Sequence, residues 1–194
     1  MSKRKGEASR EKILSSAERL FAANGYHGTT VSQIVSEAGL SQAAFYLYFK
    51  SKEEILDEIF RTFENQLARF VESGRQIGQT PLSEIENHLF QFYTGLFQLF
   101  GANKNITKIV FNEGSKGEEL RSKIVNQISM NMNHNQSLGI IRSEVDTELF
   151  AEILVASIER IVVRYGRDED GGYSSETLGR LLGGIVCHGV LNKM

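Results

Sequence analysis

The 194 residues are 41% hydrophobic and 24% charged, as in an ordinary globular chain, and contain one proline, Pro81, the residue that most reliably stops a helix. The single cysteine, Cys187, excludes an internal disulfide and fits a reducing, cytoplasmic setting; no apolar stretch follows the basic start MSKRKGEASREK, which argues against a signal peptide, and the longest charge-free run, Asn87 to Asn103, is too short and too rich in amides to span a membrane. The net charge of −2 is unevenly distributed: residues 1–52 carry eight Lys/Arg against four Glu, or +4, and the remainder 14 basic against 20 acidic residues, or −6, so only the head suits a polyanion.

Ile13, Leu14, Ala17, Leu20 and Phe21 recur at the spacing of one helix face, and Asn24-Gly25 supplies a stop, which predicts a first helix from about Ser9 to Asn24. Thr30 with Gln33 reads as a capping box for a second helix with Val31, Ile34, Val35 and Ala38 facing inward. Gly39 ends that helix after about two turns. Leu40 then packs inward, and Ser41 can cap a third helix. The run Phe45-Tyr46-Leu47-Tyr48-Phe49 reads locally as a strand, yet caps bracket it on both sides, because Ser51 with Glu54 forms another capping box. A helix is therefore expected, with Phe45 and Phe49 buried and Ser41, Gln42 and Tyr46 presented outward.

Helix four carries an apolar stripe at Ile55, Leu56, Ile59, Phe60, Phe63, Leu67, Phe70 and Val71. A loop from Gly74 to Thr80 leads to a fifth helix, Leu82 to Phe100, with Thr80 as cap and Pro81 in its first turn. Helices are also predicted over Asn105 to Phe111, Lys116 to Asn133, Thr147 to Tyr165 behind an Asp146 cap, and Ser175 to Leu191, with loops at Gly139 to Val145 and Gly166 to Gly172. The expected fold is all-α with about nine helices: a three-helix head, residues 1–52, and a helical body, residues 53–194.

Two helices joined by a three-residue turn in a basic three-helix head form a helix-turn-helix, whose second helix enters the DNA major groove by its N-terminal end. Gln42 can pair in bidentate fashion with adenine N6/N7, and Ala43 and Ala44 are small enough to approach base edges and thymine methyls. Tyr46 and Tyr48 can meet methyls or phosphates, and Lys52 can neutralise a phosphate. Exposed tyrosines elsewhere are commonly core-edge residues. Here the caps, turn spacing and local charge favour DNA.

The segment GYHGTTVSQIVSEAGLSQAAFYLYFKSKEEIL, Gly25 to Leu56, resembles the DNA-binding signature of TetR-family transcriptional regulators, roughly G…TT…IA..AGVS.G.LY.YF.SKE.L. The resemblance implies that Thr30 contacts phosphate, that Ser41, Gln42 and Ala43 open the recognition helix, that Tyr46 touches DNA, that Tyr48 meets the DNA backbone and that Lys52 binds phosphate. Ala43-Ala44 stand where many members have Gly-Thr, and Leu47 where others place a polar or aromatic contact, differences that bear on which operator is read.

It also implies a homodimer through the last two long helices, about 147–165 and 175–191, a palindromic operator, and release of a repressor by a small-molecule effector bound in the body. A hydrophobic, acyl-bearing effector and a pocket lined by Phe63, Leu67, His88, Phe92, Leu96 and Phe97 are expected, although aromatic stripes at helical spacing are more often core. No cofactor is expected, and no metal: His27, His88, His134 and His188 are scattered, and neither metal-ligand nor phosphate-loop spacing occurs, which leaves an enzyme a poor alternative. The remaining alternative is a helical ligand-binding adaptor that has lost DNA binding.

Overall fold

The computed structural model describes residues 2–165 and 172–192. Nine α-helices are present among the described residues: α1 Ser2–Asn24, α2 Val31–Ala38, α3 Gln42–Tyr46, α4 Lys52–Arg75, α5 Ile85–Ala102, α6 Lys104–Asn112, α7 Gly114–Ser137, α8 Thr147–Tyr165 and α9 Ser175–Val190. The only extended pairing among them is an isolated antiparallel bridge between Ile141 and Leu191, and none of these helices is long and apolar enough to cross a membrane. Of the expected loop Gly166 to Gly172, all but the last residue lies outside the described part.

Several boundaries differ from expectation. α1 begins at Ser2, about two turns earlier than the apolar stripe implies, because its first turns are polar. The Gly74 to Thr80 segment is the end of α4 followed by a 3-10 turn, Gln76–Gln79. Thr80 does not cap α5: its hydroxyl donates to the Gln76 carbonyl, and a second 3-10 turn, Leu82–Glu84, precedes α5.

The chain divides into two compact units, Met1–Glu64 with Lys104–Gly117 and Asn65–Asn103 with Glu118–Met194. The first unit holds the expected head, residues 1–52, together with the first half of α4 and all of α6, which returns to pack on α1. Its centre is Ile13, Ala17 and Phe21 of α1, Ile34 and Val35 of α2, Phe45 of α3, Phe49, and Ile55, Leu56, Ile59 and Phe63 of α4. Arg10 reaches from α1 to pair with Glu58 and lies 4.8 Å over the Phe49 ring, so the aromatic core is closed at its edge by a cation.

In the second unit α5 and α9 pack closely together. Two α9 glycines make this approach possible. A Cβ on Gly179 would stand 2.2 Å from Thr94 Oγ1 and 2.6 Å from the Thr94 nitrogen, and one on Gly183 3.2 Å from the Phe90 nitrogen, whereas Gly184 and Gly189 face open space within the chain. The α9 glycines thus divide between two faces. Asn131 and Asn135 of α7 donate to the Val71 and Gly74 carbonyls of α4, which gives the last turn of α4 partners that water would otherwise supply.

Gly179→Ala is expected to destabilise the protein by about 3 kcal/mol, since backbone atoms of α5 obstruct the methyl group; Gly101→Ala in α5, with free space, should be neutral or stabilising by up to ~1 kcal/mol. Urea unfolding of both variants checks the contrast. Burial also raises the Glu18 carboxyl pKa against the opposing effects of Arg19 and a hydrogen bond with Asn105. The fold therefore favours the protonated acid, and this contribution is lost as pH rises through the raised pKa. Glu18→Gln should raise the melting temperature at pH 7 and leave it nearly unchanged near pH 4.

Candidate nucleic-acid interface

The local geometry of the head is fixed by caps. Thr30 sits in extended backbone at the N-cap of α2, where its side-chain oxygen accepts from the Gln33 backbone N–H at 3.2 Å and the Gln33 side chain accepts from the Thr30 backbone N–H at 2.8 Å. This is the reciprocal pair that the sequence spacing predicts. At the other end Gly39, at φ +68°, reverses the chain, donating to the Ser36 and Val35 carbonyls while Leu40 also donates to Val35; a residue with a Cβ would be strained there. α2 is thereby held to eight residues.

Ser41 then caps α3, its oxygen accepting from the Ala44 backbone N–H at 3.2 Å. α3 has only five residues, too few to persist as a helix in water, so its conformation depends on packing. Phe45 supplies this packing. Its side chain is fully buried, with the Phe49 ring 6.0 Å away and the Tyr46 ring edge-on at 5.3 Å. With Phe45 turned inward, Ser41, Gln42 and Ala43 are exposed together on the opposite side, next to Tyr46, which is 60% exposed.

The two tyrosines differ from each other. Both are expected to meet DNA, but α3 ends at Tyr46, and Tyr48 falls in the following turn, half-buried and beside Gly6 of α1. Leu47, left without a role by the sequence, is the most exposed large apolar residue of the region at 78%. An apolar side chain so placed beside Tyr46 can meet a thymine methyl.

Lys52 also differs. Its ammonium donates to the carbonyls of Tyr26 and Thr29, both at 2.8 Å, and lies 4.2 Å over the Tyr26 ring. Sequence spacing shows a basic residue at the start of α4, but not that the α1–α2 turn folds back over it.

The expected effector-pocket residues are dispersed. Phe63 is fully buried in the first unit. Leu67, Leu96 and Phe97 are buried in the second; Phe92 is half-buried, edge-on to Tyr93 at 4.8 Å and to Phe70 at 6.1 Å, and His88 is half-buried. A recess of about 380 Å³ in the second unit is lined instead by Glu72, Arg75, Gln76, Gly78, Gln79, His134 and Leu138. The sequence reading passed over Gln66 and Thr94, whose side-chain oxygens Oε1 and Oγ1 are buried without a protein partner. Amide and hydroxyl groups on apolar helices carry no sequence signal that separates a satisfied group from an unsatisfied one. No group of three or more potential metal ligands occurs among the described residues.

This geometry coincides with a family match. Residues 13–59 match the family described as bacterial regulatory proteins, tetR family. Over the whole length, the chain is 30% identical across 190 residues to the HTH-type transcriptional regulator YdgC of Bacillus subtilis, covering 96% of this chain and 97% of that protein. It is 25% identical across 189 residues to the fatty acid metabolism regulator protein of the same organism, covering 93% and 95%. The fold is shared with the transcriptional regulator FadR from Bacillus subtilis in complex with stearoyl-CoA, with a TM-score of 0.68, 21% identity and coverage of 92% and 98%. The chain belongs to the tetR family of bacterial regulatory proteins and is a DNA-binding transcriptional regulator of the helix-turn-helix type.

Proposed function

We propose that the protein is a homodimeric repressor that reads a palindromic operator in the cytoplasm through the exposed start of α3 and leaves it when a hydrophobic small molecule binds the second unit. The observation that carries the reading is the outward cluster Ser41, Gln42, Ala43 and Tyr46, held in place by the buried Phe45. Gln42 reads adenine, Tyr46 packs on a thymine methyl or reaches a phosphate, and Thr30 at the start of α2 binds phosphate. Tyr48, half-buried, approaches the backbone at the margin.

Apolar exposure on α8 and α9 supports the dimer. Leu149 and Ile153 lie four apart on α8, as do Leu181 and Ile185 on α9, and all four are more than half exposed in the single chain. Two exposed helical stripes of this kind, one on each helix, suit a four-helix bundle with a second copy. Gly184, with no intrachain neighbour within 4 Å, allows close helix approach there. A two-fold dimer would present two α3 helices to half-sites about one DNA turn, roughly 34–36 Å, apart or a multiple of it.

The aromatic content of α4 and α5 favours an apolar effector, and buried Thr94 Oγ1 and Gln66 Oε1 are candidates to orient its polar end. One relative is a fatty acid metabolism regulator protein, and a solved regulator of the same fold is in complex with stearoyl-CoA; together they point to an acyl chain.

Selection from a random duplex pool at about 150 mM salt, where non-specific phosphate binding is weakened, should enrich a two-fold palindrome with wild-type protein and none with Tyr46→Ala, whose stability should stay within about 0.5 kcal/mol of wild type because the side chain is exposed. Absence of enrichment with wild type would favour the adaptor alternative. Leu181→Glu with Ile185→Glu should give a folded monomer by sedimentation; a dimer in that variant would place the interface elsewhere. Long-chain acyl-CoA should raise the melting temperature and release the selected duplex, and a response confined to polar ligands would contradict the apolar effector.

A further inference from the structure

Lys52 stands at a position expected to hold phosphate, yet its ammonium is already engaged. Two carbonyls from one turn, Tyr26 and Thr29, converge on it at 2.8 Å each, and the Tyr26 ring lies against it at 4.2 Å. The turn is itself closed: the Thr29 backbone N–H donates to the Tyr26 carbonyl at 3.2 Å, and the buried Thr29 hydroxyl donates to the Gly25 and Leu20 carbonyls at 2.9 and 3.2 Å. The Tyr26 ring is wedged edge-on against Phe21 at 5.4 Å and His27 at 5.1 Å. The residue after Thr29 is Thr30, the cap of α2. Every restraint on this turn therefore also sets where Thr30 lies.

We propose that Lys52 is a positioning residue for DNA binding: a strut from the first turn of α4 that fixes the α1–α2 turn and so presents Thr30 and the start of α2 to a phosphate, its ammonium remaining on the two carbonyls in the bound state. The proposal rests on the reading that Thr30 meets the DNA backbone. It accounts for the choice of residue at this point, since an ammonium offers three donors and two are spent on carbonyls whose partial negative charges need a cation. Only the third N–H is left for any other partner, and a phosphate that drew the ammonium off the turn would break both carbonyl bonds in a partly buried setting. The Tyr26 ring adds a cation–π contact that favours leaving the charge where it is.

The experiment is a double-mutant cycle on the pool-selected duplex, with binding measured across salt concentrations. Wild-type binding comes first, and its absence overturns the DNA reading and the strut together. Given wild-type binding, Lys52→Met should weaken affinity about tenfold, the order expected for hydrogen bonds from a charged group, without reducing the dependence of log K on log salt. Thr30→Ala should then cost much less in the Lys52→Met background than alone. A salt slope that falls by about 0.9 for each head, with additive effects of the two substitutions, makes Lys52 a phosphate ligand and overturns the strut while leaving DNA binding intact. Should Lys52→Met not fold, nitrogen-15 NMR of the wild-type Lys52 ammonium decides. Carbonyl couplings to Tyr26 and Thr29 that persist on adding the duplex support the strut; their loss on DNA binding contradicts it.

Discussion

The burial of Phe45 is the constraint on which the DNA-reading surface depends. A five-residue helix has no stability of its own, because the nucleation cost exceeds what so few hydrogen bonds return. One ring, packed with Phe49 and flanked by Ser41 as cap, fixes both the existence of α3 and its rotation about its axis. The outward direction of Gln42, Ala43 and Tyr46 then follows from geometry, since neighbouring helical residues diverge by about 100°. Apolar burial on one face sets chemical presentation on the other.

The same economy extends through the head. Each short element is terminated by a local device: Gly39 in left-handed backbone, the Thr30–Gln33 pair, Ser51 accepting from the Glu54 backbone N–H. Longer-range ties join the pieces, with Arg10 from α1 to Glu58 of α4, Arg19 of α1 to Glu37 of α2, and Lys52 to the turn between α1 and α2. Most of the basic side chains that give the head its positive charge in sequence are therefore also structural where they are described. Net charge alone overstates how many cations are free for phosphate.

Local signals were legible in the sequence because they act over three or four residues. The caps at Thr30, Ser41 and Ser51 and the stripe through Phe45 and Phe49 identify the helix-turn-helix without tertiary information, and the motif from Gly25 to Leu56 points to the family. What sequence spacing missed depends on contacts between distant segments. The half-burial of Tyr48 comes from α3 ending one turn early and from α1 extending to place Gly6 beside it. The engagement of Lys52 comes from a turn more than twenty residues away. In the second unit the glycines of α9 read equally well as packing within the chain or between copies, and the structure divides them: Gly179 and Gly183 against α5, Gly184 and Gly189 toward open space. The aromatic stripe chosen for a pocket illustrates the opposite difficulty, since Leu67, Leu96 and Phe97 have the periodicity of a core and are buried as one.

The central claim is that the buried Phe45 seat aims the start of α3 at base edges in the major groove. Methylation interference on a bound duplex measures this most directly, because dimethyl sulfate marks guanine N7 in the major groove and adenine N3 in the minor groove. Interference is expected at major-groove positions in two half-sites related by a two-fold axis and about one helical turn, or a multiple of it, apart. Interference confined to the minor groove, or complex formation indifferent to base methylation, would contradict it.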